Sequence, residues 1–218
     1  METEDMNDIS QRAQELIDIG MIRTILAMND LLSTAQFKIG HYSHIHEEVQ
    51  ANDVGDGDNV PALAEEADKT TIGNKHVTDL IENLKPHIQN LLAESDVIKI
   101  WVAINIPKIQ GGGNLSFLIQ KTILYVLTYI HNEADSFFNR INTYYNSRAK
   151  LLKQSQEHPH IEDYRYKIRV RDETDYIAFQ QVAYAIRNHY CYLYDVISKN
   201  IDRIKAPKTL NNSQTLYD

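Results

Sequence analysis

The stretch that decides the fold runs from Ile106 to Gln120 and reads IPKIQGGGNLSFLIQ, because two long apolar-patterned segments meet inside it. Pro107 stops the segment before it, since its ring removes a backbone donor and clashes with the preceding turn. Gly111, Gly112 and Gly113 give three consecutive positions with no Cβ, so the chain can turn sharply there at little steric cost. Asn114 suits a helix cap, and from Leu115 onward apolar residues recur at helical spacing. Three of the chain's eight glycines stand here. A helix–helix connection of roughly 2 to 8 residues needs at most one of them. The run therefore reads either as a plain connection or as a constrained tip that touches something.

Upstream, residues 74–105 carry Val77, Leu80, Ile81, Leu84, Ile88, Leu91, Leu92, Ile98, Trp101 and Val102 at helical spacing, with Pro86 inside the stripe. Downstream, residues 115–155 hold the longest pattern, from Leu115 and Leu118 through Ile130, Phe137 and Ile141 to Leu151. Tyr125, Tyr129, Phe138 and Tyr145 widen that stripe beyond the single face a peripheral helix needs. The spacing thus predicts a helix that sits centrally or faces another subunit. Pro159 punctuates next, and residues 161–206 form the last helix, ended by Pro207. The first helix is placed over 5–48, with a 3.6-residue pattern clearest to about residue 39; Gly20 weakens it by about 1 kcal/mol.

Between them lies 50–73, where periodicity vanishes and Asp53, Asp56 and Asp58 interleave with Gly55 and Gly57. It lacks the ligand spacing and closing Glu of an EF-hand, and reads as an acidic flexible insertion. His41, His44 and His46 with Glu47 and Glu48 suit zinc by residue type, but no Cys or distant His motif completes a set. Glu157 to His160 matches the Glu-x-x-His of di-iron bundles, yet Pro159 stands inside it and no second copy exists. No metal or other cofactor is expected.

Four helical segments, short breaks and one insertion predict an all-α, up-and-down four-helix bundle forming a single domain over 1–218. A formal charge of -8 leaves no basic surplus to neutralise phosphates, which argues against nucleic acid as a partner. No apolar run approaches the roughly 18 residues that span a bilayer, so no membrane is expected. One cysteine, Cys191, allows no intrachain disulfide, and the opening METEDMNDIS is acidic where a targeting signal would be basic. These readings place the protein in the cytoplasm, the nucleus or both. Nucleophile–base pairs and phosphate loops are not apparent, so no enzyme is expected. The polar tail 207–218 ends in Leu216, Tyr217 and Asp218, two large contact residues and a free carboxylate after a flexible spacer; it reads as a frayed end or as a docking peptide, since capture of a terminal carboxylate is a known recognition mode.

Five separated blocks resemble the 11S (REG) family of proteasome activators. NLKPHI at 83–88, with its odd Pro86, is similar to the LKPEI of that family's second helix, and INIPKIQGGGN at 104–114 to its IPRIEDGNN activation loop. HPHIEDYR at 158–165, IRNHYCYLYDVISKNIDRIKAP at 186–207 and the ending QTLYD match family segments in the same order. Coverage runs from about Asn74 to the end, whereas residues 1–73 agree only in layout.

The resemblance implies an ATP-independent activator of the 20S proteasome, assembled as a ring whose copies meet through the apolar face of the third helix. It implies that Thr215, Leu216, Tyr217 and Asp218 dock on the proteasome's outer α ring. It also implies that the loop at 106–114, through Ile109, Gln110, Gly111, Gly112, Gly113, Asn114 and the adjoining Leu115, contacts the gate and opens it. On this reading the homo-oligomer is a heptamer. An alternative is an oligomeric helical scaffold that binds the proteasome or another partner without opening the gate. Three departures bear on that choice. Gly111 stands where the family loop commonly has Asp, Gly113 where it has Asn, and Asp218 follows the Tyr at which related chains often stop.

Overall fold

The computed structural model of the chain describes residues 2–38, 73–106 and 115–205. They form four long helical arms, with no strand among the described residues. The first arm is α1 (Glu2–Glu15), a π-turn (Leu16–Gly20) and α2 (Met21–Ser33), followed by a 3₁₀ turn (Ala35–Phe37). The others are α3 (Lys75–Ile104), α4 (Leu115–Glu157) and α5 (Glu162–Lys205). The all-α four-helix bundle is the fold the periodicity predicts.

The first arm departs from expectation at both its middle and its end. Its helix stops at Ser33, not at 48. Thr34 turns extended (φ -69°, ψ 156°), and the hydroxyls of Ser33 and Thr34 donate to the carbonyls of Asp30 and Leu31 at 2.7 Å each. Those side chains satisfy carbonyls that a further turn would otherwise have taken. Residues 39–72, with the histidine run and nearly all of the acidic insertion, lie outside the described residues.

The π-turn has a register reason. Ala13, Ile17, Met21, Met28 and Leu32 are the buried residues of the arm. An α-helix advances about 100° per residue, so Ala13 to Leu32 would sweep about 100° more than five full turns. One extra residue in the π-turn absorbs that excess and keeps the stripe on one line. Met21 N–H donates to the Leu16 carbonyl, five residues back, to close the wide turn.

The chain divides into two compact units. One comprises Met1–Asn29, Ile88–Ser136 and Ala185–Asp218. Its core includes Met21, Ile98, Trp101, Leu127, Ile186, Tyr190 and Ile197, all nearly or fully buried. The other comprises Asp30–His87 and Phe137–Tyr184. There Phe37, Leu80, Ile81, Leu84, Tyr144, Tyr176 and Phe179 pack together, with Tyr144 and Phe179 edge to face at 6.2 Å. In this second unit the 3₁₀ turn is pinned by its backbone. The Gln36 carbonyl accepts from Tyr176 Oη and Gln180 Nε2, both at 2.8 Å.

Helix α3 starts at a cap of two residues. Gly73 takes φ 85°, where a Cβ would also meet Thr78 Oγ1 at 3.0 Å. Asn74 Oδ1 then accepts from the amides of His76 and Val77, satisfying donors that have no partner within the helix. Pro86 lies inside α3 without ending it. It sits on the exposed face, so the carbonyl its missing N–H releases can turn to solvent. In α5, Glu162 and Asp163 open the helix and Arg203 and Lys205 close it, matching the helix dipole at both ends.

Candidate functional site

Of the residues expected to make the site, Ile109 to Asn114 and Thr215 to Asp218 lie outside the described residues. Leu115 is described. It is the first residue of α4 and strongly exposed, as is Leu118 one turn on. What the structure adds is the pair of roots from which the loop and the tail depart.

Both roots lie in the unit that contains the end of α3, the start of α4 and the end of α5. Helix α3 closes at Ile104, where Asn105 Nδ2 donates to the Trp101 carbonyl at 2.8 Å. Ile106 N–H turns back to the Ala103 carbonyl at 3.2 Å. Gln120, one turn and a half into α4, is fully buried. Its Nε2 donates to the Asn105 carbonyl at 2.8 Å and to the Ile204 carbonyl at 3.1 Å. One side-chain amide thus holds the residue before the loop and a residue in the last turn of α5, from which the tail departs. Both partners are acceptors, which fixes the amide's orientation and turns Oε1 to a buried place where no described residue hydrogen-bonds to it.

Gln120 was not among the expected site residues, although its signal was legible. It occupies the position in register with Ile123, Leu127 and Ile130, where a polar residue has to find buried partners. Composition could not say that those partners were the ends of two other helices.

Farther along α4 in the same unit, Tyr125 and Tyr129 stand mostly exposed, and Tyr192 of α5 is half-exposed. With Val126, Ile130, Asn188 and His189 they line a groove of about 370 Å³. His189 Nε2 lies 2.7 Å from Glu133 Oε2, and the Tyr129 ring meets the His189 ring edge to face. Burial holds the His189 imidazole below its usual range, and the Glu133 carboxylate partly offsets this. That same carboxylate raises the Tyr129 phenol. A surface of exposed tyrosines over apolar side chains is suited to contact, since each ring offers large area at small conformational cost.

The Glu-x-x-His reading finds no geometry, and the histidine cluster at 41–48 lies outside the described residues. Glu157 ends α4 and His158 to His160 form a turn, so that Glu-x-x-His does not lie on one helix. Among the described residues no three His, Cys, Asp or Glu side chains are gathered to hold an ion. No described helix is long and apolar enough to cross a membrane.

Comparison with known proteins places these features in a family. Residues 70–214 match the family model "Proteasome activator PA28, C-terminal". The chain is 38% identical over 144 residues to proteasome activator complex subunit 3 of Homo sapiens, covering 66% of this chain and 56% of that protein. The Gallus gallus protein of the same name matches to the same extent. The chain therefore spans somewhat over half the length of the curated relatives it matches. Its fold is similar to that of the 11S subunit of the Plasmodium falciparum proteasome, PA28, with a TM-score of 0.74 at 24% identity, covering 94% of this chain and 92% of that one. With its family model matched over 70–214, the chain belongs to the PA28, or 11S, family of proteasome activators.

Proposed function

We propose that this chain is a subunit of an ATP-independent activator of the 20S proteasome, without catalysis of its own. In this reading 1–218 is one domain, 207–218 is the docking tail and 106–114 is the activation loop. Thr215, Leu216, Tyr217 and Asp218 seat on the α ring of the proteasome. Ile109, Gln110, Gly111, Gly112, Gly113, Asn114 and Leu115 meet the gate and hold it open to peptides. The observation that carries the reading is that the roots of loop and tail, Asn105 and Ile204, meet at one buried side chain. A docked tail then delivers the loop to a defined place.

The copies of the ring, seven in all on this reading, meet through the tyrosine groove of α4 and α5. Its exposed Tyr125, Tyr129 and Tyr192 support this, because they leave large aromatic surface uncovered on α4 and α5. A ring makes weak tails sufficient, since linked sites raise avidity without new contacts per tail. The setting is the cytoplasm, the nucleus or both.

The test is hydrolysis of short fluorogenic peptides by latent 20S proteasome from the same organism, with no ATP present. Addition of the chain should raise the rate clearly. Substitution of Asn114 should abolish the rise while the assembled mass stays the same, and deletion of Leu216 to Asp218 should abolish binding. Binding without any rise in rate would favour the scaffold reading instead, and three glycines in the loop favour that outcome through the entropy lost on ordering them. Neither binding nor stimulation would reject both.

A further inference from the structure

We infer that Gln120 is the positioning residue that couples tail docking to gate contact; this rests on the activator reading above. The geometry is specific. Its two amide hydrogens go to two backbone carbonyls, one at the loop root and one at the tail root, and to nothing else. The side chain is fully buried, so water does not compete for either bond. Lys205 and Ile106 therefore leave a common node, and a displacement of the α5 end on docking is transmitted to Asn105 through one amide.

The second observation is what Gln120 leaves undone. Its Oε1 is buried and accepts no hydrogen bond from the described residues. A buried acceptor without a partner is costly, and an apolar residue of the same length in the stripe of Ile123, Leu127 and Ile130 would avoid that cost. A position chosen for packing alone would hold Met or Leu. Local rules broken in this way, with a geometric gain beside them, are expected where a side chain serves a function.

The test uses the full chain and Gln120→Met, which keeps length and burial and removes both donors. Assembled mass and melting are checked first, and peptide hydrolysis by latent 20S proteasome is then titrated. The expected result is a split. The half-saturating concentration, set by the tails, stays within about threefold, while maximal stimulation falls about tenfold, the factor carried by roughly one hydrogen bond's worth of positioning. Gln120→Asn, whose amide is one methylene short of the two carbonyls, should give the same split and serves if Gln120→Met does not assemble. Unchanged maximal stimulation in either variant overturns the inference, and so does a rise in half-saturating concentration with the maximum intact.

Failure of the activator reading is distinguishable, because the unmodified chain would then give no stimulation at all. In that case amide hydrogen exchange on the chain alone decides the coupling. Gln120→Met should speed exchange at Asn105, Ile106 and Lys205 together, and exchange unchanged at either root overturns the inference.

Discussion

Arg148 Nε donates to both carboxylate oxygens of Asp172, at 2.9 and 3.2 Å, joining α4 to α5 where Asp172 is fully buried. Tyr144 Oη donates to the same carboxylate at 3.0 Å and accepts from the Asn74 amide at 3.4 Å. The start of α3 is thereby tied to the same charge. Burial raises the Asp172 carboxyl above its usual range, and Arg148 opposes that rise. Removing the cation leaves an unpaired buried charge, so Arg148→Met should cost about 3–5 kcal/mol at pH 7. The sign with pH follows from the raised carboxyl. The folded state binds its proton more readily than the unfolded one, so the penalty present at neutral pH is relieved as pH falls toward the carboxylate range. Urea denaturation at pH 7.5 and pH 5 should show the Arg148→Met deficit shrinking on acidification. A deficit equal at both would mean that the lost term is packing of the Arg148 stem.

Gly20 offers a test of register. Deleting it should turn the π-turn back into α-helix and rotate Ala13 and Ile17 by about 100° away from the line of Met21, Met28 and Leu32. Exposing one buried Ile alone costs about 2 kcal/mol, so the deletion should lose at least that much. Gly20→Ala is a different matter. Its Cβ would be tight only against Leu16 Cδ2, at 3.0 Å, the far end of a flexible and half-buried side chain, with the Glu15 carbonyl oxygen at an ordinary 3.6 Å. The gain in helix propensity and the shift of Leu16 should nearly cancel, within about 0.5 kcal/mol. Thermal melting of both variants checks the pair; equal effects would remove the register argument.

The legibility of the chain follows from what periodicity encodes. Apolar residues at three- and four-residue steps placed α3, α4 and α5, since a helix buries one stripe whatever its partner. The end of the first helix was missed because Ser33 and Thr34 stop it by bonding back to carbonyls, with no Gly or Pro to mark the place. The π-turn was missed because Ala13, Ile17 and Met21 keep four-residue steps that an α-helix tolerates locally. Only the excess summed to Leu32 reveals it. Asp172 and Gln120 share one signature, a polar residue in register with a buried stripe: Ile168, Tyr176 and Phe179 for the first, Ile123 and Leu127 for the second. Sequence shows that such a residue needs a partner and cannot say which, because the partners lie 24 and 84 residues away. The loop and tail stand out from their own residues, but their roles came from resemblance, and all of those residues except Leu115 and Ile106 lie outside the described ones.

Pro86 should be replaceable with profit to stability. Inside a helix a proline forfeits a hydrogen bond and crowds the preceding turn, at about 3 kcal/mol in the general case. Here the exposed face lets the freed Glu82 carbonyl reach water, so part of that cost is already relieved. Pro86→Ala should therefore gain about 1 kcal/mol, less the entropy that proline removes from the unfolded chain. Urea denaturation measures it. A loss would show that the buried neighbours Leu84 and Ile88 are packed around a bend that only proline supplies.

His189 should make the protein less stable on mild acidification. Burial lowers its imidazole pKa below 6.5, and Glu133, facing it from α4, pulls the other way. The Tyr129 ring covers it from the same helix, and Asn188 and Tyr192 flank it on α5. A lowered folded value means that the unfolded state binds the proton first. The stability is fully present above about 6.5 and is lost as pH falls through that value toward the lower folded one. His87 on α3 is lowered by burial too and adds in the same direction. Melting temperature should thus drop between pH 7.5 and pH 5.5, and the raised carboxyl of Asp172 opposes the drop. His189→Gln should flatten the drop. Glu133→Gln should steepen it, because the carboxylate is what keeps the folded imidazole from falling further. A Glu133→Gln variant with a flatter profile would mean that the carboxylate acts mainly by its own burial and not through His189.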